Sequence, residues 1–158
     1  MVESAPTFTV SSAPGRLVMA GRIDERARLA ELAETVTAGP LVVDLGDVAY
    51  INSLGVRDWV MFLRRLAERG VEITLERCAE PMVLQMNMIL DARGHARIAS
   101  FVAPFACDGC GWEGGRLIVT AEVLPMVEGG GTPEAECPEC QGRARFADFV
   151  DRYFLFLA

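Results

Sequence analysis

Histidine is nearly absent from this chain. The only one, His95, sits in "DARGHARI" with no serine or cysteine nucleophile pattern beside it. Acid–base catalysis by imidazole thus has one candidate and no recognisable partner, and a surface or loop position is the simpler reading. A phosphate-cradling loop is also missing, because Gly129-Gly130-Gly131 lacks the Lys-Ser/Thr and the helix that should follow. There is no basic run. The arginines are scattered, with Arg64-Arg65 and Arg143/Arg145 as the densest points, and the formal net charge is -7. Such a surface repels phosphate backbones and argues against nucleic acid. No apolar run approaches the ~18 residues of a membrane span. The start, "MVESAPTFTV", has an early Glu and no basic n-region, so it does not read as a secretory signal. These absences point away from an enzyme and predict a soluble, cytoplasmic protein without a membrane partner.

Apolar residues, by contrast, make up 51% of the 158 residues, ample material for a buried core. The chain is long enough for one domain, or for about 100 residues with a small appendage. "FTVSSAPGRLVMAGRID" reads as two strands around Ala13-Pro14-Gly15. An Asp24 cap opens a helix with Leu29, Leu32, Ala33 and Val36 on one stripe, stopped by Gly39-Pro40. "LVVDL" predicts an interior strand covered on both faces. The next helix carries a stripe of Val56, Trp59, Val60, Leu63 and Ala67 and closes at Gly70. "VEITL" is a strand, Pro81 begins another helix, and "RIASFVAPFAC" is one more strand. The order β-β-α-β-α-β-α-β indicates a mostly parallel sheet with helical cover and an antiparallel element at its start. Composition changes near residue 104, which predicts domains at 1–104 and 105–158.

Within the first of these, "VVDLGDVAYINSLGVRDWVMFLRRLAERG" runs a strand into a helix through Asn52-Ser53-Leu54-Gly55. Asn and Ser are preferred caps, and Ser53 reads first as the helix cap. Together with "GRID" after the second strand and "EP" after "VEITL", this stretch resembles the STAS family, the domain of sulfate transporters and anti-sigma-factor antagonists. The resemblance covers roughly Phe8 to Phe105. It implies an α/β fold with a STAS-like mixed sheet covered by helices, and a non-catalytic protein–protein interaction role in bacterial signalling. In the antagonists the strand ends in Asp-Ser-Ser-Gly, and a partner kinase phosphorylates the second Ser. Here Leu54 stands at that position and cannot accept a phosphate. The resemblance implies either a shifted switch, with phosphorylation at Ser53, or constitutive binding of a regulatory protein such as an anti-sigma factor or a signalling scaffold. The implied docking face is Asn52, Ser53, Leu54 and Gly55 with Arg57 and Asp58.

"CDGCGW" and "CPECQG" supply Cys107, Cys110, Cys137 and Cys140. Two Cys-x-x-Cys knuckles about 26 residues apart make the pattern of a four-thiolate zinc site. Two residues between ligands let a tight turn present both sulfurs to one tetrahedral ion. The segment resembles a zinc ribbon, and a structural Zn²⁺ would supply folding energy that some 50 residues cannot bury for themselves. Two disulfides, a redox pair and an iron–sulfur cluster are the alternatives. The ribbon also carries a second functional reading, an adaptor that contacts transcription machinery or nucleic acid.

Several residues have plainer readings. Cys78 is expected as a buried or half-buried thiol. Asp44 and Asp47 flank a strand end, and spacing alone does not pair them. Met82, Met86 and Met88, with Ile89 and Leu90, read as core packing, with a plastic binding surface as the alternative. From Phe146 onward, Phe149, Val150, Tyr153, Phe154 and Leu157 keep helical spacing and predict a terminal helix. Leu155 and Phe156 lie off its stripe, which leaves self-association open.

Overall fold

A computed structural model describes residues 6–37 and 39–158. Residues 1–5, part of the N-terminal stretch read above for a leader, lie outside the described residues. A hairpin opens the fold. β1 (Thr9–Ala13) pairs antiparallel with β2 (Arg16–Ile23) around Gly15, whose φ of 70° suits a residue without a Cβ. Asp24 does cap, but it caps a short 3-10 turn at Glu25–Ala27 by accepting the Arg26 N–H. α1 (Leu29–Thr35) starts only after Arg28. β3 (Leu41–Ile51), α2 (Ser53–Glu68), β4 (Ile73–Glu76), α3 (Glu80–Met88) and β5 (Arg97–Ile98) follow. They make a sheet of order β1-β2-β3-β4-β5 in which β2 to β5 run parallel. The mixed α/β fold expected from the alternation is the fold observed.

Cover is one-sided. On β2, β3 and β4 the buried set is Leu17, Met19, Ile23, Leu41, Val43, Leu45, Ile73 and Leu75, while Val18, Val42, Thr74 and Glu76 are half-exposed. "LVVDL" is interior, at the centre of the sheet as expected, but it is not covered by apolar packing on both faces. Its apolar run hides a side chain that is buried by other means. Asp44 is only 3% exposed because arginines roof it: Arg16 at 3.1 Å and Arg77 at 3.2 Å, with Arg77 also 3.7 Å from Asp47. Arg16 bonds Glu76 as well. Asp44 and Asp47 are thus joined through a shared guanidinium. α2 also differs from the expected stripe: Phe62 and Leu66 are buried with Val56, Trp59 and Leu63, whereas Val60 is half-buried and Ala67 exposed.

Ala99 alone separates β5 from β6 (Ser100–Ala106), and the chain passes there into a second, antiparallel sheet. β7 (Glu113–Val119), α4 (Thr120–Glu128), β8 (Glu134–Glu136) and β9 (Arg143–Phe146) complete it, in the order β7-β6-β9-β8. β6 still touches the first sheet. The Cys78 N–H donates to the Ser100 carbonyl at 3.1 Å and Val102 N–H to the Cys78 carbonyl at 2.8 Å. One continuous set of buried side chains serves both sheets.

The expected terminal helix is mostly not one. Residues up to Phe146 pair as β9, and only α5 (Val150–Tyr153) and a 3-10 turn at Leu155–Leu157 are helical. The aromatic side chains serve to clasp rather than to coil. Phe154 and Phe156 pack edge-on against Phe101, and Phe146 packs on Phe105, Tyr153 and Phe154. Asn87 of α3 donates to the Tyr153 carbonyl at 2.9 Å and accepts the Phe156 N–H at 2.8 Å. Phe156 is buried, and Phe149, placed on the expected stripe, is 75% exposed.

Candidate functional site

Each knuckle of the second sheet is a turn between two paired strands. Cys107 follows β6 and the chain turns into β7; Cys137 follows β8 and the chain turns into β9. Because β6 pairs with β9, with Ala106 opposite Arg145, both turns lie at one end of the sheet. Their hydrogen bonds repeat at equal offsets. Cys107 N–H donates to Trp112 at 2.7 Å and Gly111 N–H to Cys107 at 2.8 Å; Cys137 N–H donates to Gly142 at 2.7 Å and Gln141 N–H to Cys137 at 2.9 Å. At the shared fourth offset the backbone is left-handed, φ 81° at Gly111 and 62° at Gln141.

The four sulfurs lie within 4.8 Å of one another, with Cys107–Cys140 and Cys110–Cys137 both at 3.6 Å. A tetrahedral ion with Zn–S bonds of about 2.3 Å has sulfur–sulfur edges of roughly 3.8 Å. A disulfide would need about 2.05 Å. The cluster therefore has the spacing of a metal centre and could hold an ion. Cys107 and Cys137 are buried, Cys110 and Cys140 exposed. The Cys110 N–H and the neighbouring Cys140 thiol bring the Cys107 thiol down to about 7 against an opposing desolvation. At Cys110 the Trp112 N–H favours the thiolate, but desolvation and the other sulfurs outweigh it and push the thiol up to about 12. Four sulfurs this close cannot all lose protons without a cation among them. Four thiolates around one tetrahedral ion leave no position open for a substrate.

The matching turns give a direct prediction. A non-glycine residue in the left-handed region costs about 1 kcal/mol. Gln141→Gly is therefore expected to stabilise the protein by about 0.5–1 kcal/mol, read as a higher denaturation midpoint, with the metal content unchanged.

The second candidate is the corner between β3 and α2. Asn52, and not Ser53, is the cap: its Oδ1 accepts the Gly55 N–H at 2.8 Å, and its amide donates to Glu25 at 3.3 Å. Ser53 is instead the first residue of the helix, one position inside the expected cap. Gly55 is buried. A Cβ there would collide with the Ile23 carbonyl oxygen and lie 2.8 Å from its carbon, so this position serves packing. Its signal in the sequence was a glycine in the first turn of a helix, where propensity disfavours it. Leu54 is 42% exposed, Ser53 is exposed, and Arg57 pairs with Asp58 at 3.1 Å. Met61, 40% exposed, lies seven residues from Leu54 on the same helical face. Tyr50, also 40% exposed, lies under the Arg22 guanidinium at 4.2 Å.

The other residues divide. Cys78 is fully buried, and burial pushes its thiol up to about 12, so it is inert. His95 is exposed in a turn and borders a cavity of about 620 Å³ with Leu63, Arg64, Val71 and Arg97. Met82 and Met86 are core, but Met88, Ile89 and Leu90 are exposed, so the core reading holds for only part of that run. Among the described residues no helix is long and apolar enough to cross a membrane. No family model and no curated protein sequence matches the chain.

Proposed function

We propose that the chain is a non-catalytic interaction module of a bacterial regulatory pathway, with a STAS-like unit joined to a zinc ribbon. The carrying observation is the state of the β3–α2 corner. Asn52 already satisfies the helix start, and directly before Gly55 an apolar Leu54 faces outward. Exposed Met61 extends that apolar face along α2, with Tyr50 on the strand end before it. An apolar group there would bind a regulatory protein, such as an anti-sigma factor or a signalling scaffold, without a phosphate gate at that atom. Ser53 is the one hydroxyl through which a shifted switch would act, since a phosphate at the positive end of α2 is tolerated there but spoils a packed interface.

Zinc is the ion this reading assigns to Cys107, Cys110, Cys137 and Cys140. Thiolate-only tetrahedral ligation suits it, and its part is to hold the second sheet together. In a reducing cytoplasm the thiols stay available for it.

Affinity capture from the native host, with the partner identified by mass spectrometry, supplies the binding assay. Leu54→Asp should then weaken that complex tenfold or more while leaving the denaturation midpoint within about 0.5 kcal/mol, because the side chain is exposed. Equal binding by the variant removes this corner from the interface.

A further inference from the structure

The cavity beside His95 opens where the first sheet runs out. β5 begins only at Arg97, opposite Thr74 of β4, so no residue of β5 pairs with Ile73, and the second half of α2 closes the gap. Its volume of about 620 Å³ falls within the roughly 300–1,000 Å³ of small-molecule sites. The floor is apolar, lined by the buried Leu63, Val71, Ile73 and Ala96. The rim is charged. Arg64 and Asp91 neutralise each other there at 2.5 Å. Arg97 and Glu72 are different. Every other arginine except Arg116 holds a carboxylate or a carbonyl. Among the described residues, the exposed side chains of Arg97 and Glu72 make no ion pair or hydrogen bond. Burial alternates from Val71 to Leu75, so Glu72 shares the face of Thr74, and Thr74 is the register partner of Arg97. One free cation and one free anion thus flank a single apolar opening.

We propose that this cavity binds a free α-amino acid with an apolar side chain, its carboxylate on Arg97, its ammonium on Glu72 and its side chain over Leu63, Val71 and Ile73. The charges select the class. A simple carboxylate would bring a second negative charge to Glu72, and a simple amine a second positive charge to Arg97; a zwitterion satisfies both. A nucleotide would set several negative charges against one free guanidinium. Arginine also suits the carboxylate end, because its planar fork donates two parallel hydrogen bonds to such a group. At the other end an apolar body takes the place of water over the floor, which is favourable in proportion to the area covered. The site lies along the second half of α2, apart from the Leu54 corner at its start and from the cysteine cluster. The proposal stands whether or not that corner binds a partner.

The test is titration calorimetry of the full-length, metal-loaded protein with L-leucine and with L-phenylalanine. Each is compared with analogues that keep its side chain and one charge: isocaproate and isoamylamine for leucine, hydrocinnamate and phenethylamine for phenylalanine. At least one amino acid is expected to bind with a Kd below about 1 mM, and its two analogues at least tenfold more weakly. Arg97→Gln and Glu72→Gln should each weaken binding tenfold or more. Both side chains are exposed and unpaired, so circular dichroism and metal content should be unchanged. No binding of either amino acid at about 5 mM overturns the proposal. So does a single-charge analogue that matches its parent amino acid, and so does binding that survives both glutamine variants.

Discussion

If the four-cysteine cluster holds the proposed zinc, Cys137→Ser should empty it and unfold both sheets together. Cys137 is fully buried, and a serine hydroxyl does not ionise to replace the thiolate. A structural zinc contributes ~10–16 kcal/mol in small domains, as much as the ~5–15 kcal/mol of a whole protein. The damage should not stop at the second sheet. β9 leads from the second knuckle into the tail, and the tail holds α3 through Asn87 and Phe101 through Phe154 and Phe156. Tyr153 also donates its hydroxyl to the Val102 carbonyl at 2.6 Å. The two tryptophans separate the outcomes. Trp112 lies beside the first knuckle, whereas Trp59 is buried in the first sheet's core, donating to the Ala92 carbonyl at 2.7 Å. In a Trp112→Phe background, Trp59 fluorescence should report a melting transition lowered by ten degrees or more. A full equivalent of metal in Cys137→Ser, or an unmoved Trp59 transition, would show that the cluster does not hold the fold.

Gly55→Ala should be strongly destabilising. By propensity alone alanine favours a helix over glycine by about 1 kcal/mol. Here the new Cβ meets backbone: the Ile23 carbonyl, with Ile51 Cγ1 at 3.1 Å behind it. Neither side yields easily, because the same carbonyl accepts the Asn52 N–H at 3.2 Å and Ile23 belongs to β2. The first turn of α2 must lift away from the sheet, at a cost of about 3 kcal/mol or more. Chemical denaturation measures it. A midpoint equal to wild type would mean that the corner is more pliable than its packing indicates. With Leu54→Asp, the two variants separate stability from binding at adjacent positions.

Much of this was legible before any coordinates. The alternation of strands and helices gave the mixed sheet because short-range periodicity decides which side chains can share a face. The cysteine spacing pointed to one cluster because a tight turn and an ion leave little geometric freedom. What sequence could not supply were contacts between distant residues. Asp44 is buried by Arg16 and Arg77, 28 and 33 positions away, so its strand passed for one covered on both sides. The aromatic run after Phe146 kept helical spacing, yet its side chains are claimed by α3 and β6, and tertiary packing overrode the period. The cap moved by one residue, from Ser53 to Asn52, since either side chain satisfies the same rule. Met82 and Met88 have the same chemistry, and only the side of α3 that packs against the rest of the fold decides which of them is covered.

The strand shared by the two sheets has a consequence for how the chain is made. Phe101 and Met86 lie in the part synthesised first, yet part of their cover arrives with residues 146–158. At about 5–20 residues per second, the stretch from residue 104 to residue 158 takes roughly 3–11 s to translate. During that interval the nascent chain carries two large apolar side chains that lack part of their final cover. Residues 146–158, synthesised well after the first sheet, therefore complete this part of the core, and a chain stopped near residue 104 would leave Phe101 without Phe154 and Phe156 and become a client for chaperones.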